Sequence, residues 1–184
     1  RCYKALKEFD PFHPVWINAA PRGTVAEQIP YAACCDIYGI DIYPVPQPNS
    51  HSHLEDKSIS CVGKYARRKS EIAGGRKPIW MALQGFAWDS FNGDDTRKPY
   101  PTIAETRFMV YDSFINGANS VGWWGTQYIK TPSFYDTIFG AARELQLLSG
   151  VLVTEKTDIS GKAGPSSIEW RRYMGDGWRV VIAA

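Results

Sequence analysis

The chain has 184 residues, a formal net charge of +2 and basic residues scattered along its length. This length suits one ordinary domain with a sizeable core. The weak, dispersed charge gives no reason to expect binding to nucleic acid or to an anionic membrane, and no apolar run is long enough for a membrane span.

Metal and cofactor chemistry are not predicted either. The four cysteines form no CxxC pair and no zinc-type spacing: Cys2, Cys34, Cys35 and Cys61. His51 and His53 lie in a loop rich in Pro, Asn and Ser, without acidic residues at ligand spacing, and are expected to be solvated. We assign no metal and no cofactor, and the cysteine count leaves the redox compartment open.

Two kinds of segment alternate through the first 150 residues. Apolar runs bounded by proline or glycine predict strands at 15–20, 36–45, 80–88 and 120–126. Helical periodicity predicts helices at 1–10, from 24, at 56–73, at 101–117 and at 133–149. Two of these helices begin with capping-box spacing, Thr24 with Glu27 and Thr102 with Glu105. Repeated strand–loop–helix units predict parallel strands with helices packed outside them.

The pattern changes after Gly150, which is expected to end the last helix. Residues 151–153, 168–170 and 178–183 predict short antiparallel strands, with a hairpin turn at 174–177. We therefore expect a partial barrel at 1–150 and the start of a β-sandwich-like domain at 151–184. The chain begins without Met and stops on a strand, so we expect a piece of a longer protein.

Strand parity predicts a site, because alternate residues face opposite sides of a sheet. The side chains expected to face the helices are Ile17, Ile40, Ile42, Met81, Leu83, Val121 and Trp123. The other face collects Asn18, Asp41, Gln84 and Trp124 near the strand ends, above Gly39, Ala82 and Gly122. Tyr43 and Trp88 lie in the loops that follow. Aromatic faces beside hydrogen-bonding groups suit a sugar, which has apolar C–H faces and hydroxyl edges.

Three motifs resemble the C-terminal half of a (β/α)8-barrel glycoside hydrolase of clan A, in particular the family forty-two β-galactosidase-like group. They are Asp41-Ile42-Tyr43-Pro44, Pro101 to Arg107, and Gly117 to Trp124. The resemblance covers residues 15–150 and implies that they supply barrel strands five to eight. It also implies that the N-terminal half belongs to the full-length chain, and that the protein is extracellular or periplasmic.

The chain differs from clan A enzymes at one of the positions where they carry a catalytic residue. Clan A enzymes carry an acid/base Glu at the end of the fourth strand and a nucleophilic Glu at the end of the seventh. Here the seventh strand ends in Gln84, and a carboxamide cannot be the nucleophile of a retaining mechanism. Three explanations stay open: an inverting enzyme with Asp41 as the nearest carboxylate, sugar binding without hydrolysis, or an offset of Gln84 from its assigned position.

Several of these residues also have a structural explanation. Asp41 could cap loop amides, Gln84 could tie two loops together, and Tyr43 and Trp88 could simply cover the barrel end. The capping box explains Glu105 without catalysis. Solvated charge is the default for the remaining polar positions: Asp89, Asp94, Asp95 and the helical Arg67-Arg68-Lys69.

The main hypothesis is a glycoside hydrolase-like barrel that acts on an oligo- or polysaccharide. Asp41 is the candidate catalytic residue, and the candidate substrate-binding residues are Asn18, Tyr43, Gln84, Trp88 and Trp124. The alternatives are a non-catalytic carbohydrate-binding barrel and a structural α/β scaffold domain. The expected partners are a carbohydrate and the missing N-terminal half, because a four-strand half barrel leaves two sheet edges open.

Overall fold

The computed structural model describes residues 1–47, 54–92, 99–154, 160–163 and 168–184. Its helices are α1 (Cys2–Phe9), α2 (Val25–Ala32), α3 (Cys61–Ile72), α4 (Ile103–Ile115) and α5 (Ser133–Leu152). Its strands are β1 (Trp16–Asn18), β2 (Ile37–Asp41), β3 (Ile79–Gln84), β4 (Ser120–Trp124), β5 (Ser160–Ala163), β6 (Ile168–Gly175) and β7 (Trp178–Ala183). Short 3₁₀ helices follow β3 (Trp88–Asn92) and β4 (Thr126–Tyr128).

The first four strands form one parallel sheet in chain order, β1-β2-β3-β4, which confirms the predicted α/β class. Strands β2 and β3 are shorter than predicted. Ile42 N and Gly85 N still donate to Ala82 O and Trp124 O of the neighbouring strands. Residues 43–45 and 86–87 lie beyond the strands but stay buried, so their apolar character comes from covering the sheet edge rather than from strand pairing.

One face of this sheet shares a core with the helices. Ile40 of β2 and Met81 and Leu83 of β3 are fully buried, and they belong to the same cluster as Val62 of α3 and Met109 of α4. Burying a side chain of this size contributes about 1.5–3 kcal/mol. The predicted parity of these strands is therefore confirmed.

The opposite face carries a pair of indoles. The rings of Trp16 and Trp80 lie 5.3 Å apart, between centroids. Trp80 covers Gly122, where a Cβ would come 3.0 Å from the indole nitrogen, and Trp16 lies over Gly39 in the same way. Trp16 remains 43% exposed, so this face is not closed at the β1 side.

Both predicted capping boxes are present. Glu27 N donates to Thr24 Oγ1 at 3.3 Å, and Thr102 N donates to Glu105 Oε2 at 2.8 Å. This gives Glu105 the structural role expected of it. Gly74, with φ of +61°, follows α3 in the left-handed conformation that favours glycine at a helix end.

Helix α5 does not end at Gly150, and the strand predicted at 151–153 is wrong. The helix continues to Leu152, because Val151 and Leu152 pack against the buried cluster of Ile115, Tyr173 and Ile182, and Leu152 also packs against the main core. Gly150 does not adopt a positive φ, so it does not act as a stop. The division of the chain at residue 150 stays a prediction.

The last three strands form a separate antiparallel sheet, β5-β6-β7. Gly175 pairs with Trp178, so β6 and β7 are joined by a two-residue turn with Gly177 at a φ of +80°, as the sequence predicts. Tyr173 and Ile182 pack against Ile115 of α4, which attaches this sheet to the helical layer.

A charged cluster of Arg67, Asp112, Asn116 and Glu169 strengthens that attachment. Arg67 Nη2 and Asn116 Nδ2 both donate to Glu169 Oε2, at 3.0 and 2.9 Å. Asp112 accepts from Asn116 Nδ2 at 2.9 Å and from Gly63 N at 2.7 Å. Burial raises the pKa of Asp112 to about 7. The cluster therefore links α3, α4 and β6 through groups that can titrate.

Lys69 is not on an exposed helix face, and that prediction is wrong. Its side chain is fully buried, its Nζ donates to Gln28 Oε1, and it lies 4.6 Å from the Tyr38 ring centroid. Burial lowers the pKa of Lys69 to about 8, because its hydrogen-bond partners are neutral. Within the described residues, no helix is both long and apolar enough to cross a bilayer.

Candidate functional site

The carboxyl ends of β1 to β4 bring together four of the predicted site residues. Parallel pairing places Asn18, Asp41, Gln84 and Trp124 at the same edge of the sheet. Asn18 Nδ2 donates to Asp41 Oδ1 at 2.8 Å. Asp41 is partly exposed, so it is oriented by a neighbouring strand while it still faces solvent.

Tyr43 also contacts Asp41, from the loop after β2. Burial raises the pKa of Tyr43 far above its usual value, and the negative charge of Asp41 and its hydrogen bond to the phenol raise the pKa further. Tyr43 therefore stays a neutral donor to Asp41. A carboxylate has about four acceptor sites, so the donors from Asn18 and Tyr43 do not by themselves saturate it.

An aromatic rim surrounds this polar group; we use the term for Tyr43, Phe86, Trp88, Phe91, Trp124 and Tyr128. Trp124 stacks on Tyr43 with centroids 5.6 Å apart and planes at 21°. Phe91 and Tyr128 are in edge contact at 4.6 Å. Trp124, Phe91 and Tyr128 are 45%, 40% and 37% exposed. The rim thus offers a wide ring surface to solvent next to Asp41.

Phe86 is the buried centre of the rim, and glycine makes room for it. Its ring lies 5.1 Å from Tyr43, 5.0 Å from Trp88 and 5.5 Å from Trp124, between centroids. Gly125 has a φ of +88°, and a Cβ there would lie 2.5 Å from Phe86 Cδ1. Glycine is required at this position for both backbone conformation and space.

Gln84 is turned away from solvent. It is fully buried, its Oε1 accepts from Val45 N at 2.9 Å, and its Nε2 donates to Val45 O at 2.7 Å and to Phe86 O at 3.1 Å. The amide therefore holds the loop that carries Tyr43 against the loop that carries Phe86. Its assignment to substrate binding stays a prediction.

Trp88 and Asp89 occupy the same end of the sheet. Trp88 lies 6.4 Å from Tyr43 between ring centroids. Asp89 is only 9% exposed, so the expectation of a solvated carboxylate is wrong for it. Trp88 Nε1 and Asp89 Oδ2 are buried without a hydrogen bond to any described residue, which is costly. Asp94 and Asp95 lie outside the described residues.

Three residues of the rim were not predicted as site residues: Phe86, Phe91 and Tyr128. All three lie just beyond the ends of β3 and β4. Aromatic residues directly after a predicted strand are therefore the sequence pattern that could have identified them. The indole of Trp16, which shares strand parity with Asn18, was not predicted either.

A cleft among the described residues lies away from this site. It has a volume of about 950 Å³ and lies at the other end of the strands, among residues 75–78 and Asn119. The aromatic rim is instead an open surface. We base the candidate site on the rim because hydrogen-bonded polar groups and exposed rings converge there.

No three His, Cys, Asp or Glu side chains among the described residues are placed to hold a metal ion. His51 and His53 lie outside the described residues. No protein-family model matches the chain, and no curated protein matches it.

Proposed function

We propose that this chain supplies strands five to eight of a glycoside hydrolase-like (β/α)8 barrel, which binds an oligo- or polysaccharide at the carboxyl ends of its strands. Asp41 is the proposed catalytic carboxylate. The observation that carries the proposal is the hydrogen-bonded set of Asn18, Asp41 and Tyr43 beside the exposed ring of Trp124. Barrel enzymes place their chemistry at this end of the strands.

The order of the strands supports the barrel. Doubly wound sheets reverse their strand order at a switch point and carry helices on both faces. Here the order is sequential, one face shares a core with the helices, and the other carries the Trp16 and Trp80 indoles. In a barrel that second face is the packed interior.

Exposed apolar side chains at both ends of the sheet support a missing half. Phe9 on α1 and Phe12 just after it are 92% and 90% exposed, and Phe139 and Leu147 on α5 are 65% and 80% exposed. Large exposed apolar groups on the outermost helices mark surfaces that another element covers. Four further β/α units would cover both of these surfaces, the one on α1 and the one on α5.

The site chemistry suits a neutral sugar. Trp124 offers a flat surface for the C–H face of a ring, and Asp41 and Asn18 offer an acceptor and an amide for hydroxyl groups. In an inverting mechanism a carboxylate acts as the base that activates water, opposite a carboxylic acid. Asp41 would take the first role, and the acid would come from the other half of the barrel.

Hydrolysis of aryl-glycosides by the full-length protein tests this function. Asp41→Asn keeps the shape of the side chain but removes the base, so the rate should fall by about 100-fold or more. Asp136→Asn, an exposed change on the first turn of α5, is the control and should leave the rate unchanged. Full activity of Asp41→Asn would remove this residue from the mechanism.

A second candidate is a non-catalytic carbohydrate-binding barrel, and Gln84 favours it. The position where the resemblance expects a nucleophile holds an amide whose oxygen and nitrogen are bonded to backbone groups. Sugar binding by calorimetry, without hydrolysis of a broad substrate panel, would select this candidate over the enzyme.

A further inference from the structure

The turn after β3 buries two polar atoms without pairing them. Asp89 is 9% exposed, and its Oδ2 is closed off from solvent with no hydrogen bond to any described residue. The indole Nε1 of the preceding residue, Trp88, is buried in the same way. A hydrogen-bond acceptor and a donor, one residue apart, are therefore left unused at the end of the sheet that carries the aromatic rim.

Asp89 differs in this respect from the other carboxylate that is buried within the described residues. Asp112 is 3% exposed, and it accepts from Gly63 N at 2.7 Å and from Asn116 Nδ2 at 2.9 Å. A carboxylate taken out of water costs free energy unless protein groups replace the water. Asp112 has such groups and Asp89 has none within the described chain, so the burial of Asp89 needs another explanation.

The turn that carries Asp89 is held in place by its neighbours. Ser90 N donates to Ala87 O at 3.0 Å, and the hydroxyl oxygens of Ser90 and Tyr100 are hydrogen-bonded at 3.0 Å. The Tyr100 ring in turn stacks on Phe134 of α5, with centroids 4.6 Å apart. None of these contacts uses the Asp89 carboxylate. The fold therefore fixes the position of this group and leaves its hydrogen-bonding capacity free, which is the arrangement of a preorganised binding residue.

Asp89 adjoins the candidate site and is open to a ligand on one side. The ring of Trp88 lies 5.0 Å from Phe86 and 6.4 Å from Tyr43, between centroids, and Tyr43 contacts Asp41. Asp89 Oδ1 makes no hydrogen bond to a described residue either, but, unlike Oδ2, it is not closed off from solvent. A ligand at the rim can therefore reach one oxygen of this carboxylate.

A sugar hydroxyl is the chemical group that fits this position. A hydroxyl both donates and accepts, so it suits a carboxylate that stands beside an unpaired indole N–H. A metal ion fits less well, because the N–H next to the carboxylate repels a cation, and no metal-binding group of side chains occurs in the described residues. A hydroxyl that donates to a carboxylate forms a charge-assisted bond, about twice as strong as a neutral one.

We propose that Asp89 is a further substrate-binding residue, whose carboxylate accepts a hydrogen bond from a hydroxyl group of the sugar at the aromatic rim. This role rests on the proposed sugar site and adds a requirement to it: the sugar carries a free hydroxyl where it faces the turn after β3. Without the sugar, the buried carboxylate destabilises the fold, which is a cost that binding sites commonly carry.

Thermal unfolding of the full-length protein without ligand tests the first half of this proposal. Asp89→Asn keeps the shape of the side chain and removes its charge, so the melting temperature should rise by about 2–4 °C. Asp176→Asn, in the exposed turn between β6 and β7, makes the same chemical change and should shift it by less than about 1 °C. A lower melting temperature for Asp89→Asn would overturn the proposal, because it would show that the carboxylate holds the fold together.

Calorimetric titration with cellotetraose, xylotetraose and galactotetraose tests the second half. For a saccharide that the wild type binds, Asp89→Asn should lose about tenfold or more in affinity, the loss expected for a hydrogen bond to a charged group. Asp176→Asn should bind as wild type does. Unchanged affinity in Asp89→Asn, with affinity lost in Trp124→Ala, would overturn this role of Asp89 and leave the sugar site standing. Failure of the wild type to bind any of the three would overturn both.

Discussion

The two ends of the parallel sheet are held by different kinds of interaction. At the carboxyl ends of the strands, rings pack around Phe86, and a neutral amide, Gln84, ties the loops together. At the amino ends, the charged cluster of Arg67, Asp112, Asn116 and Glu169 is the main polar contact between elements. The aromatic rim is the basis on which we propose a neutral, ring-shaped ligand at the carboxyl ends. We also expect pH to change the free energy of unfolding mainly through groups at the amino ends of the strands. Substitutions that disturb side-chain packing should act mainly at the carboxyl ends.

The largest expected effect is a fall in stability with pH, caused by Asp112 in the charged cluster. Its pKa is raised from 3.8 to about 7 in the folded chain. As pH rises from about 4 to about 7, the unfolded chain loses this proton first, so the free energy of unfolding falls and then levels. The fall is on the order of 4 kcal/mol, at about 1.4 kcal/mol per pKa unit.

Urea unfolding across this pH range measures the effect, and Asp112→Asn should flatten the slope. The pKa values of Asp36 and Asp56 are lowered from 3.8 to about 2. The stability that these two carboxylates contribute is therefore lost only below about pH 4, and it does not mask the effect of Asp112. A wild-type stability that rises from pH 4 to pH 7 would contradict this role of the cluster.

Next in size is the destabilisation expected for Gly125→Ala at the carboxyl end. The new methyl group would meet the Phe86 ring, and the φ of +88° is strained for alanine. These two costs together amount to about 3 kcal/mol. Gly150→Ala is the control: it lies inside α5 with no atom within 4 Å of its added Cβ, and it should stabilise the chain by about 0.5–1 kcal/mol. Equal effects of the two changes on urea unfolding would refute the packing of the rim.

A smaller loss, about 2 kcal/mol, is expected for Gln84→Glu. The variant supplies the carboxylate that the resemblance expects, but it sets an oxygen against the carbonyls of Val45 and Phe86, which accept from Nε2 in the wild type. Gln146→Glu, on the exposed side of α5, should change stability by less than about 0.5 kcal/mol. Unchanged stability together with a gain of glycosidase activity would show that Gln84 does not hold the two loops.

Features fixed by a few neighbouring residues could be predicted from the sequence. The pairs Thr24–Glu27 and Thr102–Glu105 form capping boxes because their partners lie three positions apart. The alternation of Ile40, Asp41 and Ile42 decided which side of the sheet each would face. The common edge of Asn18, Asp41, Gln84 and Trp124 followed from parallel pairing.

Features fixed by distant partners could not be predicted. Lys69 lies on the inner side of α3, seven residues after Val62, but only Gln28 and Tyr38 explain its burial. Val151 and Leu152 have the composition of a strand, and their packing keeps them in α5. Gln84 ends β3 as predicted, yet its amide is hydrogen-bonded to the backbone of two loops. No local sequence pattern specifies the paths of those loops.

The most direct test of the central claim is a calorimetric titration of neutral oligosaccharides into the full-length protein and its Trp124→Ala variant. Trp124 is half exposed, so the variant should fold normally and lose affinity by at least about tenfold. Tyr31→Ala, which removes an exposed ring from α2, should bind as wild type does. Binding of the sugar by Trp124→Ala with unchanged affinity would contradict a carbohydrate site at the aromatic rim.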